Sequence, residues 1–238
     1  FAGGVNAGIR YSLSRGAELV LLLNNDAIID THALDELRLA LASCSGAGIA
    51  APSVRYLADP DRIWQGGGRI SRLKTGIVSP DKNKLASERH ANTSEVSFLS
   101  GCAMLMRRRV LEEIGLFDET YFLYAEDADF CIRARTAGFK LLYVPSARVW
   151  HRIESITRER TSPLVMYHLA RSRLLFWRKH SSFLYFAYAL LLHSTLYTLY
   201  RVWQVLHSRG DVGSLVWWVR GTIDGVLERK PVASIPAS

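Results

Sequence analysis

The chain has 238 residues, 49% of them hydrophobic, so it can bury a full core and its composition excludes a disordered protein. The net charge of +8 comes from the C-terminal third, because residues 1–145 hold 17 Lys and Arg against 17 Asp and Glu, whereas residues 146–238 hold 13 against 5. A basic, aromatic-rich segment suits a nucleic-acid surface or an anionic membrane face, and because no nucleic-acid motif is recognisable we favour the membrane.

The first predicted strand ends in three polar residues. Phe1–Gly16 is predicted to be a glycine-rich loop that leads into a short helix. The apolar run Leu19–Leu23 then predicts a strand buried on both faces of a parallel sheet, and Asn24, Asn25 and Asp26 follow it. Ligands of open α/β sheets bind at the carboxyl ends of strands, so these oxygen donors suit a divalent metal such as Mg²⁺ or Mn²⁺. A simple turn before the next helix explains the same residues without a ligand.

The next elements predict a layered α/β domain. The spacing of apolar residues predicts an amphipathic helix over Thr31–Ser43, with three leucines facing inward, and Gly46–Val54 reads as a strand. The inward leucines are expected to be Leu34, Leu37 and Leu41.

The middle of the chain is polar and rich in turn residues. Arg55–Asn92 predicts loops and a β-excursion, in which Trp64 either stacks on a sugar ring or packs as an ordinary indole. Val96–Arg107 predicts a strand and Arg108–Ile114 a short helix that ends at Gly115.

The most informative stretch is Tyr121–His151. Glu126 and Asp127 open a predicted helix, a position that favours an ionised and oriented carboxylate and therefore suits a general base. A glycine turn at Gly138 leads to a strand over Lys140–Val144, and His151 follows, where we expect the fold to bring it back beside the Glu126 and Asp127 carboxylates.

Ordinary helix chemistry explains the same acidic residues. Asp and Glu are common in the first turn of a helix, where they act as caps. Asp129 and Arg133 are spaced as a simple i,i+4 ion pair.

Several blocks occur in the order and spacing of a known family: LLLNNDAII, and then SFLSGCAMLMRRRVLEEIGLFDETYFLYAEDADFCIRARTAGFKLLYVPSARVWH. Together they resemble the inverting GT-A glycosyltransferases of family 2, especially the bacterial rhamnosyltransferase-like group that builds surface polysaccharides. The resemblance covers Phe1 to about His151. It implies an α/β GT-A fold, with a mostly parallel sheet flanked by helices and a C-terminal helical appendage.

The resemblance also implies a role for each matching residue. Asp26 ends the family's DxD-like motif and binds the metal, and His151 completes the metal site. Asp127 matches the catalytic base of the ED pair, with Glu126 as its neighbour. The residues implied to lie in the donor site are Asn6, Asn24, Asn25, Ser100 and Gly101.

Two features depart from the family pattern. Position 24 is Asn where a DxD motif has its first Asp, which leaves fewer carboxylates for the metal. The chain also begins inside the GGxN block, so we expect a fragment that lacks its N-terminal strands and part of the nucleobase pocket. The expected domains are 1–151, an N-terminally truncated catalytic domain, and 152–238, a basic helical region associated with a membrane.

The C-terminal region is predicted to be helical. Residues 152–162 predict a mobile loop that closes over bound donor, and Pro163–His180 predicts a helix. Phe183–Tyr200 is 18 residues without Lys, Arg, Asp or Glu, at the lower edge for a membrane span, and its polar interruptions favour an interfacial or packed helix. Val212–Leu227 is another expected helix. The residues suited to a headgroup-level belt are Trp203, Trp217 and Trp218.

The resemblance therefore implies a metal-dependent inverting glycosyltransferase. The donor that it implies is a dTDP- or UDP-sugar, with rhamnose as a candidate sugar, and the acceptor is a hydroxyl of a glycan or a lipid-linked glycan. Three cysteines without a CxxC pair fit a reducing compartment, so we expect the cytoplasmic, inner face of a membrane. A metal-dependent nucleotidyltransferase and a non-catalytic membrane-associated subunit stay open as alternatives.

Overall fold

A computed structural model of the chain describes residues 1–88, 92–152, 162–207 and 211–232. The chain forms two compact units. The sheet unit consists of Ala2–Asp118 and Asp127–Ile153, and the helical unit consists of Phe1, Glu119–Glu126 and Glu154–Ser238. The predicted α/β class, with helices beside a sheet and a helical C-terminal region, is confirmed. The division into domains 1–151 and 152–238 stays a prediction.

The helices and strands follow one another along the chain in nearly the predicted order. The helices before residue 151 are α1 (Ala2–Ser14), α2 (Ala33–Ser43), α3 (Arg108–Ile114) and α4 (Glu126–Thr136). The strands are β1 (Leu19–Leu23), β2 (Ala27–Ile29), β3 (Ala47–Tyr56), β4 (Ile63–Gln65), β5 (Arg69–Ser71), β6 (Gly76–Val78), β7 (Ser94–Val96), β8 (Ala103–Arg107) and β9 (Lys140–His151). The later helices are α5 (Pro163–His180), α6 (Phe183–Leu192), α7 (Thr198–His207) and α8 (Ser214–Val226), with a π-helical turn at His193–Tyr197 joining α6 to α7.

The main sheet is mixed rather than mostly parallel. Its strand order is β1-β8-β3-β9-β2, with β4 added beside β3 and β7 beside β9. Within the described residues, β3 and β9 form its one parallel ladder, and its other ladders are antiparallel. The apolar run of β1 indicates that both faces of the strand are buried. It does not indicate whether the neighbouring strand is parallel or antiparallel, so the prediction of a mostly parallel sheet is wrong.

Helix α2 covers one face of this sheet. Leu37 and Leu41 are fully buried against Ala50 and Leu142, as predicted. Leu34, by contrast, is 41% exposed, so its predicted inward position is wrong. The small side chain of Ala33 takes that place, because it is the residue of the first turn that lies against the sheet.

Two predicted elements differ in extent. Helix α1 extends over almost all of the expected N-terminal loop, because burial of Asn6 and Ile9 along one face outweighs the weak helix propensity of its glycines. The expected strand Val96–Arg107 is two strands with different partners, since β7 pairs with β9 whereas β8 lies between β1 and β3. A turn at residues 100–102 separates them.

The predicted glycine stops are confirmed. Helix α3 ends at Gly115, whose φ is 75°, and the turn after α4 contains Gly138, whose φ is 89°. Both lie in the left-handed region that glycine enters without a steric penalty. Because Gly115 marks the end of the helix, the predicted bounds of α3, Arg108–Ile114, agree with those in the structure.

The helical unit is built on close contact between α5 and α8. A Cβ added to Gly221 would lie 2.2 Å from the carbonyl oxygen of Tyr167, so only glycine allows this approach. The Tyr167 hydroxyl donates a hydrogen bond of 2.9 Å to the buried Asp224. Helix α5 has the predicted bounds, with Pro163 in its first turn and the Ser162 hydroxyl accepting from the Val165 N–H.

The predicted helix over Phe183–Tyr200 is present as α6, the π-helical turn and the start of α7. Across the part of the chain that the structure describes, no helix is both long enough and apolar enough to cross a membrane. The predicted mobile loop over 152–162 lies mostly outside the described residues.

Candidate active site

Strand pairing brings Asp26 and His151 together although they are far apart in sequence. Ala27 on β2 is the register partner of His151 at the end of β9, and the Arg152 N–H donates to the Asp26 carbonyl at 3.0 Å. This places His151 Nε2 2.9 Å from Asp26 Oδ1. Asp26 keeps 45% of its side chain exposed, whereas His151 keeps 11%, so the pair consists of an accessible carboxylate on a largely enclosed imidazole.

The neighbours of this pair hold it in place. Asn24 lies at the end of β1, where its N–H donates to the Cys102 carbonyl at 2.9 Å, and its Nδ2 lies 3.5 Å from His151 Nε2. The Trp64 ring packs on the imidazole, with centroids 5.0 Å apart. Trp64 also packs against a buried apolar cluster, which supports the packed-indole interpretation. Asn25 is exposed in the turn after β1.

The donor atoms fit a divalent metal that takes further ligands from a substrate. In residues 1–88, 92–152, 162–207 and 211–232 no three His, Cys, Asp or Glu side chains are grouped to hold a metal ion. The direct 2.9 Å contact between His151 Nε2 and Asp26 Oδ1 nevertheless brings one nitrogen donor and one oxygen donor together. Asn24 turns its amide nitrogen toward the pair, so its amide oxygen joins such a site only after the amide turns over. Mg²⁺ commonly uses one or two protein carboxylates together with phosphates and water, and imidazole suits Mn²⁺ among the harder ions.

Asp127 is held by backbone donors in the first turn of α4. Its Oδ2 accepts from the Gly101 N–H at 3.1 Å and its Oδ1 from the Ala128 N–H at 2.8 Å. Burial raises the pKa of the Asp127 carboxyl to about 6, and these two hydrogen bonds oppose the rise without cancelling it. A carboxyl group with such a pKa is poised to take up a proton near neutral pH.

A single turn joins this carboxylate to the Asp26–His151 pair. Gly101 donates to Asp127, while the next residue, Cys102, accepts from the Asn24 N–H at the end of β1. The Ser100 hydroxyl accepts from the Cys102 N–H at 3.3 Å and so stabilises the turn. Burial, together with the Asp26 charge, raises the pKa of the Cys102 thiol to about 12, which keeps it protonated and unreactive.

The backbone that leads into α4 is strained. Tyr124 and Ala125 have φ values of 66° and 68°, in the left-handed region that residues with a Cβ rarely adopt. Each such residue costs of the order of 1 kcal/mol and persists mainly at functional sites. Glu126, the neighbour of Asp127 in the ED pair, is 7% exposed. No glycine or asparagine marks this bend in the sequence, so it could not be predicted there.

Asp129 and Arg133 form the predicted i,i+4 pair, at 2.8 Å, and Asp129 is fully buried. Arg133 also donates to the carbonyls of Ile114 and Leu116, beyond the end of α3. The structural interpretation is therefore confirmed for these two residues. They fix α4 against the preceding loop and leave Asp127 as the carboxylate held at the turn.

Asn6 has both ends of its amide engaged by one backbone position. Its Nδ2 donates to the Phe117 carbonyl at 2.8 Å, and its Oδ1 accepts from the Phe117 N–H at 3.0 Å. The side chain is 2% exposed. The structure thus places Asn6 as a clamp between α1 and the segment before α4, and its contact with a donor stays a prediction.

Asn6→Ala is expected to lower the free energy of unfolding by about 2 kcal/mol, because it leaves the buried N–H and carbonyl of Phe117 unpaired. Urea unfolding of the chain measures this change. Asn25→Ala, in an exposed turn, serves as the control and should cost less than about 0.5 kcal/mol. Equal stabilities of the two variants would contradict the clamp.

Comparison with known proteins identifies the family. Residues 1–171 match the family model described as glycosyltransferase like family 2, which is more than half of the chain. The chain belongs to this family. Family 2 membership confirms the resemblance carried by the LNND and AEDADF segments.

This family 2 chain is similar to three curated rhamnosyltransferases. The N-acetylglucosaminyl-diphospho-decaprenol L-rhamnosyltransferase of Mycobacterium tuberculosis is 31% identical over 162 residues, which cover 63% of this chain and 52% of that protein. The dTDP-rhamnosyl transferase RfbF of Shigella flexneri is 25% identical over 189 residues, covering 74% and 58%. Rhamnosyltransferase WbbL of Escherichia coli is 32% identical over 106 residues, covering 42% and 40%. The chain thus spans about half the length of the first two relatives.

Proposed function

We propose that this family 2 chain transfers a sugar from a nucleotide-diphosphate donor to an acceptor hydroxyl, with inversion at the anomeric carbon. The observation that carries the proposal is the Asp127 carboxylate, held on the Gly101 N–H with its pKa raised to about 6. A carboxylate that is fixed in direction and able to accept a proton near neutral pH is what a general base requires.

Asp127 removes the proton from the acceptor hydroxyl. An electron pair on the deprotonated acceptor oxygen attacks the anomeric carbon from the face opposite the diphosphate. One carbon–oxygen bond therefore forms while the bond to the leaving group breaks. The nucleoside diphosphate leaves with that electron pair. A single displacement of this kind inverts the anomeric configuration. The Gly101 and Ala128 N–H groups keep the carboxylate oriented throughout.

Asp26 and His151 are the proposed metal ligands, with Asn24 beside them. A Mg²⁺ or Mn²⁺ ion held by these residues would neutralise charge on the leaving diphosphate. Asn24, Asn25, Ser100 and Gly101 are proposed to line the donor site, because they lie on the turns that carry these acidic groups. Glu126 is proposed to support Asp127 from the same helix turn.

The similar proteins narrow the substrates that we propose. One relative is named as an N-acetylglucosaminyl-diphospho-decaprenol L-rhamnosyltransferase and another as a dTDP-rhamnosyl transferase. A dTDP- or UDP-sugar donor, with rhamnose as the first candidate, and a glycan or lipid-linked acceptor are therefore proposed. The setting would be surface polysaccharide synthesis at the cytoplasmic face of a membrane, without a nucleic-acid partner.

A thermal-shift panel with UDP, dTDP and GDP, each with and without Mn²⁺, tests the donor class. We expect the melting temperature to rise with one nucleotide and only when the metal is present. A nucleotidyltransferase would instead respond to a nucleoside triphosphate and release pyrophosphate. A non-catalytic subunit would show no shift in any condition, which would overturn the proposal.

The pH dependence of transfer follows from the raised pKa of Asp127. The base works as a carboxylate, so activity is present above pH 6 and is lost as the pH falls and the group protonates. We expect kcat/KM to fall about tenfold per pH unit below that pKa. An ordinary Asp would hold its activity down to about pH 4. A profile that stays flat to this lower pH would contradict the role of Asp127.

A further inference from the structure

Helices α6 to α8 expose an unusual number of large apolar side chains. Helix α8 buries Trp218, Gly221 and Gly225 along one side. On its other side a second apolar row is open to solvent at a spacing of three or four residues, so the helix is apolar on two opposite sides. The row begins just before α8 and ends just after it. Its exposed members are Val212, Val216, Val219, Ile223 and Leu227, each 46–68% exposed. A helix that is apolar on two sides normally has both covered.

The neighbouring helix shows a matching row. From Phe183 to Tyr200 there is no Lys, Arg, Asp or Glu, so the exposed side of α6 and of the π-helical turn carries no charge. Its exposed large apolar residues, continuing into α7, are Phe183, Leu184, Tyr188, Leu191, Leu196, Leu199, Tyr200, Trp203 and Leu206. We call this row and the row on α8 together the apolar helix face.

The two rows lie on helices that touch each other. His193 stacks on Trp218 with ring centroids 4.6 Å apart, and its Nε2 lies 2.9 Å from the Thr222 hydroxyl. The Trp218 indole N–H also donates to the Thr198 hydroxyl at 3.0 Å. These hydrogen bonds lie inside the unit, whereas the exposed side chains of the two rows are apolar.

The charges around the face indicate what covers it. The described residues from 162 to 232 hold eight Lys and Arg against three Asp and Glu, and Pro163–His207 contains no acidic residue. Arg178 and Arg220 are exposed and lie over the rings of Phe186 on α6 and Trp217 on α8. Each of these arginines also has an acidic neighbour, Glu228 and Asp224 respectively. Basic residues beside an apolar surface match a bilayer with anionic headgroups, whereas a second copy would bring like charges together. Trp203 and Tyr200, each about half exposed, suit the headgroup level.

We propose that the apolar helix face docks onto an anionic lipid bilayer, with α6, α7 and α8 lying in the interface. The apolar rows enter the boundary between headgroups and acyl chains, and the basic residues contact lipid phosphates. Docking at the bilayer would bring the chain to a lipid-linked acceptor, and this part of the inference rests on the proposed function. Vesicle binding is measured without any sugar nucleotide, so its failure is distinct from failure of sugar transfer.

Flotation of the whole chain with extruded vesicles tests the proposal. The chain should float with phosphatidylcholine vesicles that contain phosphatidylglycerol, and its binding should weaken with pure phosphatidylcholine or high salt. The double variants Leu199→Glu with Leu206→Glu and Val216→Glu with Val219→Glu should each reduce the bound fraction about tenfold, because they place charge in the interface. Leu39→Glu, on the 62% exposed Leu39 of α2, is the matched control and should bind like the unmodified chain.

Circular dichroism melting establishes that each variant is folded, since all the replaced side chains are exposed. The proposal would be overturned if both double variants bind vesicles as well as the unmodified chain does. It would also be overturned if the unmodified chain does not float with anionic vesicles. Light scattering provides the remaining outcome. If the chain is a dimer that these variants dissociate, and it does not bind vesicles, the face contacts a second copy. That result would overturn the membrane proposal.

Discussion

Asp127→Asn is expected to lower kcat for sugar transfer about 1,000-fold, because the amide cannot accept the proton of the acceptor hydroxyl. The replacement has the same shape and keeps an oxygen for one of the two backbone donors, Gly101 or Ala128. The affinity for the donor should therefore change little. Release of nucleoside diphosphate, followed with a saturating sugar nucleotide and acceptor, measures kcat.

Asp35→Asn is the matched control for this variant. Asp35 lies in the first turn of α2 with 71% of its side chain exposed, so its neutralisation should leave turnover unchanged. Turnover by Asp127→Asn within a few-fold of the unmodified chain would remove Asp127 from the role of base. A parallel loss of donor binding would instead make it a binding residue.

Asp26→Ala should weaken metal-dependent binding of the donor nucleotide by at least about 100-fold, because it removes the one carboxylate of the Asp26–His151 pair. Calorimetric titration with the nucleoside diphosphate, with and without Mn²⁺, measures the affinity. In the absence of metal the two proteins should bind equally weakly.

His151→Ala should show the same metal-dependent loss, since its Nε2 is the second donor atom. Asp35→Ala again serves as a control on an exposed helix carboxylate. Unchanged Mn²⁺-dependent affinity in Asp26→Ala would contradict the metal site. Equal loss with and without metal would make Asp26 a contact for the nucleotide itself.

The parts of the site that the sequence predicts are those with local signals. An apolar run that stops at Asn24 predicts a strand end, and acidic residues after an aromatic run predict a helix start at Glu126. The pairing of Asp26 with His151 required the register of β2 on β9, which no local pattern contains. The resemblance to family 2 supplied that pairing before the structure did.

Other features depend on tertiary contacts that sequence patterns do not encode. Asn6 was expected near a donor, but its position is explained by two hydrogen bonds to Phe117, 111 residues away. Tyr124 and Ala125 adopt left-handed conformations although neither is a glycine, so the sequence does not predict them. The apolar pattern of β1 also could not predict that its neighbour β8 runs antiparallel, since burial does not distinguish parallel from antiparallel pairing.

The most direct test of the account follows a labelled sugar from donor to acceptor. The chain is incubated with Mn²⁺, a dTDP- or UDP-sugar labelled in the sugar, and a lipid-linked acceptor, and the product linkage is read by NMR. We predict label on the acceptor with inverted anomeric configuration, one nucleoside diphosphate released per sugar, and no transfer by Asp127→Asn. Retained configuration, or transfer that persists in that variant, would contradict single displacement with Asp127 as the base.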